Sequence, residues 1–299
     1  MALTALVLGS AAGGGFPQWN CNCDVCRLAW AGDPRVRART QASLAVSIDG
    51  RRWTLLNASP DLRSQIQATL ALHPKGLRES PIASVILTGA EIDQTAGLLN
   101  LRERTSFALM ATATTLAAVA DNPIFGVLAS DVVTRRAIVP GEKVSLGDGL
   151  QAELFMVPGK LPLYLEGDNP DTAEESAANV GVEITGGGKR LAFIPGAAAV
   201  TVALHDRLSR ADVVLFDGTL FTDDEMIRSG TGTKTGRRMG HMPIEGEEGS
   251  LAALAGLSAR RIFLHINNTN PILVERSPER RRVESAGWEV AFDGMEIAL

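Results

Sequence analysis

Three thiols crowd into six residues, Cys21-Asn22-Cys23-Asp24-Val25-Cys26, and no other cysteine occurs in the chain. At C-x-C-x-x-C spacing all three sulfurs can face one soft ion, and tetrahedral zinc suits them. The fourth ligand has to come from elsewhere, and spacing alone does not name it. An odd number of cysteines this close together makes no sensible disulfide framework. Acids and a histidine at strand ends form a second set. The apolar run at 83–87 leads into Thr88-Gly89-Ala90-Glu91-Ile92-Asp93-Gln94, where Glu91 and Asp93 stand two residues apart. Alternate carboxylates there can converge on one cation. Asp217 closes the run at 213–216 and His265 the run at 261–264, and ligand sites gather outside the carboxyl ends of strands. A third stretch, residues 230–241, is rich in glycine and carries Lys234, Arg237, Arg238 and His241. It has no G-x-x-x-x-G-K-[ST], which disfavours nucleotide binding. Its free amides and three cations suit a carboxylate-bearing ligand. Each set also has an ordinary reading: a two-acid surface turn, a hydrogen-bonded histidine, a flexible basic loop.

Such residues meet only if several strand ends share one edge. Residues 3–8 read as a short buried strand, followed by a glycine-rich loop through Gly15. Leu44, Val46 and Ile48 alternate with small or polar residues, Asp49-Gly50 supplies turn chemistry, and Trp53 and Leu55 resume the alternation, which predicts an antiparallel hairpin. Ser59 is the expected N-cap of a helix with Pro60 in its first turn and Leu62, Ile66 and Leu70 on one face. Further helices are expected over 112–120, 200–208 and from Ser277 to Gly287. Strands are expected over 150–157, 181–185, 189–194, 213–216, 261–266 and 288–292. Hairpins first and strand–helix alternation later put the class at α/β or α+β with mixed sheets. No linker and no fixed-period repeat interrupts the chain, so it reads as a single domain over residues 1–299. The acidic run from Glu166 to Ser176 reads as a solvated loop.

Composition narrows the function classes. With 299 residues, 45% of them hydrophobic and 21% charged, the chain can bury a sizeable core. A net charge of −5 argues against a nucleic-acid partner, and one tyrosine among 5% aromatics offers no stacking platform for bases. No apolar run approaches the roughly 20 residues of a membrane span, and the apolar stretch at 2–12 has no basic residue before it. A cytoplasmic protein with a small-molecule partner is the expectation, and assembly as a homodimer is left open. The four histidines, His73, His205, His241 and His265, exclude any site that needs five.

Taken together, residues 8–21, Asn57-Ala58-Ser59-Pro60-Asp61, Asp217-Gly218-Thr219, Gly232-Thr233-Lys234-Thr235-Gly236 and residues 265–271 resemble the coenzyme PQQ synthesis protein B family, from the first strand to the last. The resemblance implies the metallo-β-lactamase fold, an αββα four-layer sandwich of two mixed sheets with metal sites at one edge. It implies a role in making pyrroloquinoline quinone (PQQ) from a cross-linked Glu-Tyr diacid. The implied activity is iron- and oxygen-dependent hydroxylation of that precursor's tyrosine ring; the alternative is a carrier that moves PQQ or its precursor toward the periplasm without catalysis.

Departures from the superfamily pattern shape the expected site. Its H-x-H-x-D-H motif falls on Gly89, Glu91, Asp93 and Gln94, so only the aspartate survives, and the next histidine and the bridging aspartate are missing near Pro158 and Pro195. A dinuclear zinc hydrolase is therefore not expected. Asp93, His265 and His241 remain as the catalytic set, two imidazoles and a carboxylate of the kind that suits Fe(II). Glu91, Gln94 and Asp217 are held as reserve ligands. The resemblance also places Asn268 where related proteins give a histidine to the cysteine zinc, making it the fourth ligand of the structural zinc.

Overall fold

Alternation along the strands sorts the chain into two sheets. The computed structural model describes residues 2–167 and 172–299. The first sheet takes β1 (Thr4–Gly9), β2 (Ser43–Ser47), β3 (Trp53–Leu56), β4 (Ile82–Ile86), β5 (Phe107–Ala111) and β6 (Val133–Ala137). The second takes β7 (Lys143–Gly147), β8 (Leu150–Pro158), β9 (Glu175–Gly186), β10 (Lys189–Ile194), β11 (Val213–Asp217), β12 (Arg260–Leu264) and β13 (Trp288–Val290). A last strand, β14 (Glu296–Ala298), returns to the first sheet and pairs with β1. Each sheet is antiparallel in one half and parallel in the other: β3 to β6 and β10 to β13 run parallel.

Side chains at alternate positions enter different layers. Ala5 and Val7 of β1 join a core with Ile262 and Leu264 of β12 and Val213 and Leu215 of β11, between the sheets. Leu6 and Leu8 face outward, into a second core with Leu62 and Val119. Phe216 and Phe263 face the other way, into a third with Leu204, Leu208 and Val283. The helices are α1 (Asp24–Trp30), α2 (Leu62–Ala68), α3 (Ile92–Thr95), α4 (Ala113–Ala120), α5 (Val202–Leu208), α6 (Glu225–Arg228), α7 (Ser250–Ala253) and α8 (Pro278–Ser285), and all but α3 and α6 supply these outer layers. Three apolar layers between four structural ones make the expected αββα sandwich with two mixed sheets. Trp288 stacks on Phe263, with ring centroids 4.0 Å apart, and truncating such a buried ring to alanine costs about 3–5 kcal/mol.

Local details depart from the sequence expectation. Helix α2 starts at Leu62, and Ser59 instead donates its hydroxyl to Gln65 Oε1 at 3.1 Å. β6 was not legible because it is an edge strand with four exposed positions out of five and shows no alternation. Of the acidic run from 166 to 176, residues 168–171 lie outside the described residues, and β9 begins at Glu175.

Candidate functional site

Loops that follow strands of both sheets enclose a cavity of about 580 Å³. Its wall includes Gly13 after β1, Glu91, Asp93 and Gln94 after β4, Lys160 after β8, and Thr219 and His265 after β11 and β12. Asn57 fixes the loop after β4, its amide nitrogen donating to Thr88 Oγ1 at 2.9 Å and its oxygen accepting from the Thr88 amide at 2.9 Å. At the end of β12, His265 turns into left-handed backbone with φ +57°, which few residues other than glycine adopt without cost. The turn aims its imidazole at Asp93, 172 residues away in sequence, with Nε2 2.9 Å from Oδ2.

The hydrogen-bond network assigns the protons. Thr219 has one hydroxyl proton and lies 2.6 Å from Asp217 Oδ1, the shortest of its contacts, so it donates there. Thr219 Oγ1 then accepts from Nδ1 of His265 at 2.8 Å. Asp217 Oδ2 accepts from Nδ1 of His241 at 2.7 Å and from the Ala197 amide at 2.9 Å. Both imidazoles thus spend their Nδ1 protons on Thr219 and Asp217, which leaves each Nε2 lone pair for the cavity, as an outer partner does for metal-binding histidines. The two rings lie nearly parallel, 5.2 Å apart. His265 Nε2 and Asp93 Oδ2 are then two acceptors face to face. A shared proton satisfies them: burial pushes the Asp93 carboxyl up, yet the hydrogen bond and charge of His265, with the charge of His241, together outweigh it and hold the group below the usual range. Burial pushes His265 down, and Asp93 in turn holds it above its ordinary value. A divalent cation satisfies the same two atoms, and a small widening of their 2.9 Å separation reaches the roughly 3.4 Å between neighbouring ligands of a tetrahedral zinc.

The remaining expected ligands are placed differently. Asp217, His241 and His265 offer ligand atoms within 4.8 Å of one another, but each oxygen of Asp217 already accepts two hydrogen bonds. The amide oxygen of Gln94 accepts from the Glu91 amide at 3.2 Å, capping α3. A Cβ at Gly89 would fall 2.6 Å from that same oxygen, so a side chain at this position requires Gln94 to turn away. Glu91 turns its carboxylate to Lys160, at 3.0 Å, and to the Leu163 amide. Lys234 lines the cavity, while Arg237 pairs with Glu248 at 2.9 Å outside it. Lys160 was missed by the sequence reading, since nothing in Pro158-Gly159-Lys160 marks it.

The three cysteine sulfurs also lie within 4.8 Å of one another. Cys23 is the N-cap of α1, its sulfur accepting from the Cys26 amide at 3.5 Å. Burial pushes the Cys23 thiol up to about 12 and raises Cys26 as well. Thiols packed this closely ionise only around a cation. Above them the Asn268 side-chain amide stands 3.1, 3.9 and 3.3 Å from the sulfurs of Cys21, Cys23 and Cys26. In a tetrahedral zinc site the fourth ligand sits about 3.5 Å from each sulfur. The donor set fits zinc once the amide is turned to present its oxygen.

Two mixed sheets with histidine and carboxylate ligands at their shared edge define a metallo-β-lactamase-type protein, and the Beta-lactamase superfamily domain matches residues 52–266. Coenzyme PQQ synthesis protein B of Methylorubrum populi is 57% identical over 296 residues, covering 98% of this chain and 99% of that protein. The protein of the same description from Ruegeria pomeroyi is 54% identical over 294 residues, covering 98% and 99%. The crystal structure of Zn(2+)-bound PqqB from Methylobacterium extorquens matches with a TM-score of 0.97 at 56% identity, over 99% of this chain and 100% of that one. This chain belongs to the coenzyme PQQ synthesis protein B family, and PQQ biosynthesis is its setting. A diphosphatase of the PhnP family, at 19% identity and a TM-score of 0.70, shares the fold alone.

These findings correct the expectation of a non-haem iron oxygenase that is not a dinuclear zinc hydrolase. The relative solved at 56% identity is zinc-bound, and the two ligand groups here, three cysteines and Asp217–His241–His265, are of the kind that metallohydrolases of this fold carry. Two imidazoles beside a carboxylate serve zinc as readily as iron, so that set does not single out an oxygenase.

Proposed function

We propose that this chain serves PQQ biosynthesis by binding a carboxylated precursor, or PQQ itself, in the strand-end cavity against a divalent cation of the zinc class. Asp93 and His265 hold the cation, with Nε2 of His241 beside them, and the 2.9 Å contact between Asp93 and His265 carries the reading. Bound there, a divalent ion supplies a Lewis acid and an acidified water. Asp217 and Thr219 keep both imidazoles in the ligating tautomer. Lys234, on the cavity wall, meets a carboxylate of the small molecule. A second zinc, held by Cys21, Cys23, Cys26 and Asn268, ties the N-terminal loop to the segment that follows His265. The free thiols agree with a reducing, cytoplasmic setting.

Carriage of PQQ or its precursor without conversion is the second reading. Gln94 as a helix cap and Gly89, which has no side chain to ligate with, favour it, because both stand at ligand positions of the superfamily without ligating. The test is calorimetric titration of the zinc-loaded protein with PQQ, followed by incubation with the cross-linked Glu-Tyr diacid. Saturable binding that Asp93→Asn weakens supports the cavity. Binding indifferent to that change contradicts it. Conversion of the diacid selects catalysis, and its quantitative recovery selects carriage. If ferrous iron displaces zinc from the cavity at equal concentration, the zinc assignment fails.

A further inference from the structure

Arg39 is a buried cation with no carboxylate in contact. The residue is 5% exposed, and buried charges are normally paired. Its Nη1 donates to the Ala291 carbonyl and to Ser10 Oγ. Nε is buried without a partner, and Nη2 makes no hydrogen bond among the described residues. Those two nitrogens form one edge of the planar fork, an edge that takes a carboxylate through two parallel bonds. Asp293 does not fill it, because its oxygens accept from Ser10 and Thr40. Burial pushes the guanidinium down to about 10, so it stays charged at neutral pH.

Arg39 lines a cavity of about 220 Å³ between the loop that enters β2, helix α8 and the end of β13. This cavity shares no lining residue with the strand-end one. Two of its charged groups are already matched: Glu284 by Arg280 and Glu289 by Arg260, each at 2.6 Å. Three further lining residues are not. Arg37 is exposed and meets only the Phe292 ring, at 6.0 Å. Glu275 is half-buried, and its carboxylate makes no hydrogen bond or ion pair among the described residues, although its charge acts on Arg39. Trp288 is 2% exposed with Nε1 unpartnered, whereas a buried indole N–H usually finds an acceptor. The open groups are therefore two guanidinium ions and an indole N–H, with a single carboxylate.

We propose that this cavity is a second ligand site, built for a small zwitterion of the α-amino-acid type. The ligand's carboxylate takes the open edge of Arg39 with Arg37 beside it, and its ammonium group meets Glu275. Size agrees, since about 220 Å³ lies below the roughly 300–1,000 Å³ of pockets for drug-sized molecules. Charge agrees as well: Arg37, Arg39 and Arg280 on the wall balance Glu275, Glu284 and Glu289. A bare anion would face Glu275 as a like charge, and a bare cation would leave Arg39 unmet. A guanidinium that only braced its loop against Ala291 and Ser10 would have no use for Arg37 or Glu275, and no ligand would bind.

The Trp288 indole N–H resonance, assigned by its loss in Trp288→Phe, reports on this cavity alone. The zinc-loaded protein is titrated with glycine, acetate and methylammonium in turn. Glycine should shift the resonance saturably, and the other two should bind at least about tenfold more weakly. Arg37→Ala should weaken glycine about tenfold. Glu275→Gln should weaken glycine and tighten acetate, so that the two converge. Neither residue makes a hydrogen bond through its side chain, so both variants should fold as the wild type does. A wild type that binds acetate as tightly as glycine overturns the proposal, as does a Glu275→Gln variant with an unchanged preference between them. A resonance that none of the three ligands moves overturns it too and leaves Arg39 as a brace.

Discussion

The thiol cluster and the Asp93–His265 cluster are joined by residues 265–270, yet they are assembled in opposite ways. Three ligands of the first come from six consecutive residues, and a short helix capped by one of them sets their geometry. The second depends on residues 172 positions apart, which meet only because β4 and β12 of different sheets end at one edge. A metal at the thiols can therefore contribute to folding directly, since its binding energy is folding energy. A metal at the cavity uses a frame that the two sheets already provide.

Breaking the first site should have the larger effect on stability. Cys26→Ser should lose its zinc and lower the melting temperature by roughly 10 °C, at about 2–4 °C per kcal/mol for a chain of this size. Metal analysis and calorimetry check both parts. Breaking the second site through its outer partners should act on metal alone. Thr219→Val removes the hydroxyl that accepts from His265 and donates to Asp217. It should lower the cavity's zinc affinity about 10–100-fold with the cysteine zinc and the melting temperature nearly unchanged, as equilibrium dialysis would read.

The joint between the sites can be tested by pH. Glu225, nearly buried, accepts from Thr269 Oγ1 at 2.6 Å and from the Phe221 amide at 2.7 Å. Burial raises its carboxyl to about 7. The folded state then binds this proton more tightly than the unfolded chain, so the stability it confers is complete below the ordinary carboxyl range and is lost as pH rises through 7. The loss should be roughly 2–3 kcal/mol between pH 4.5 and 8, and Glu225→Gln should abolish it. Denaturant unfolding of the two proteins at both pH values measures the difference. The smallest effect belongs to Arg237→Ala, which should leave PQQ affinity unchanged, because the guanidinium pairs with Glu248 outside the cavity.

The same contrast explains what could be read from the residues alone. Cys21, Cys23 and Cys26 announce themselves by spacing. Asp93 and His265 were legible as strand-end residues, but their contact rests on topology that only the family resemblance supplied. The hairpin of β2 and β3 shows itself through period-two alternation, whereas β6, an edge strand with four exposed positions out of five, gave no signal. Lys160 and Glu166, 2.9 Å apart, could not be paired from sequence, because neither has a periodic or motif context. Arg237 looked equivalent to Lys234 in the glycine-rich loop, and only the local turn at Arg237–Met239 separates their directions.

Each chain is expected to carry two separate ions, one at the thiols and one at the strand-end cavity. Anomalous diffraction above and below the zinc edge, on crystals grown with zinc, tests it most directly. Two peaks are expected, one among Cys21, Cys23, Cys26 and Asn268 and one between Asp93, His265 and His241. A single peak at the thiols, with Asp93 still in contact with His265, would contradict it.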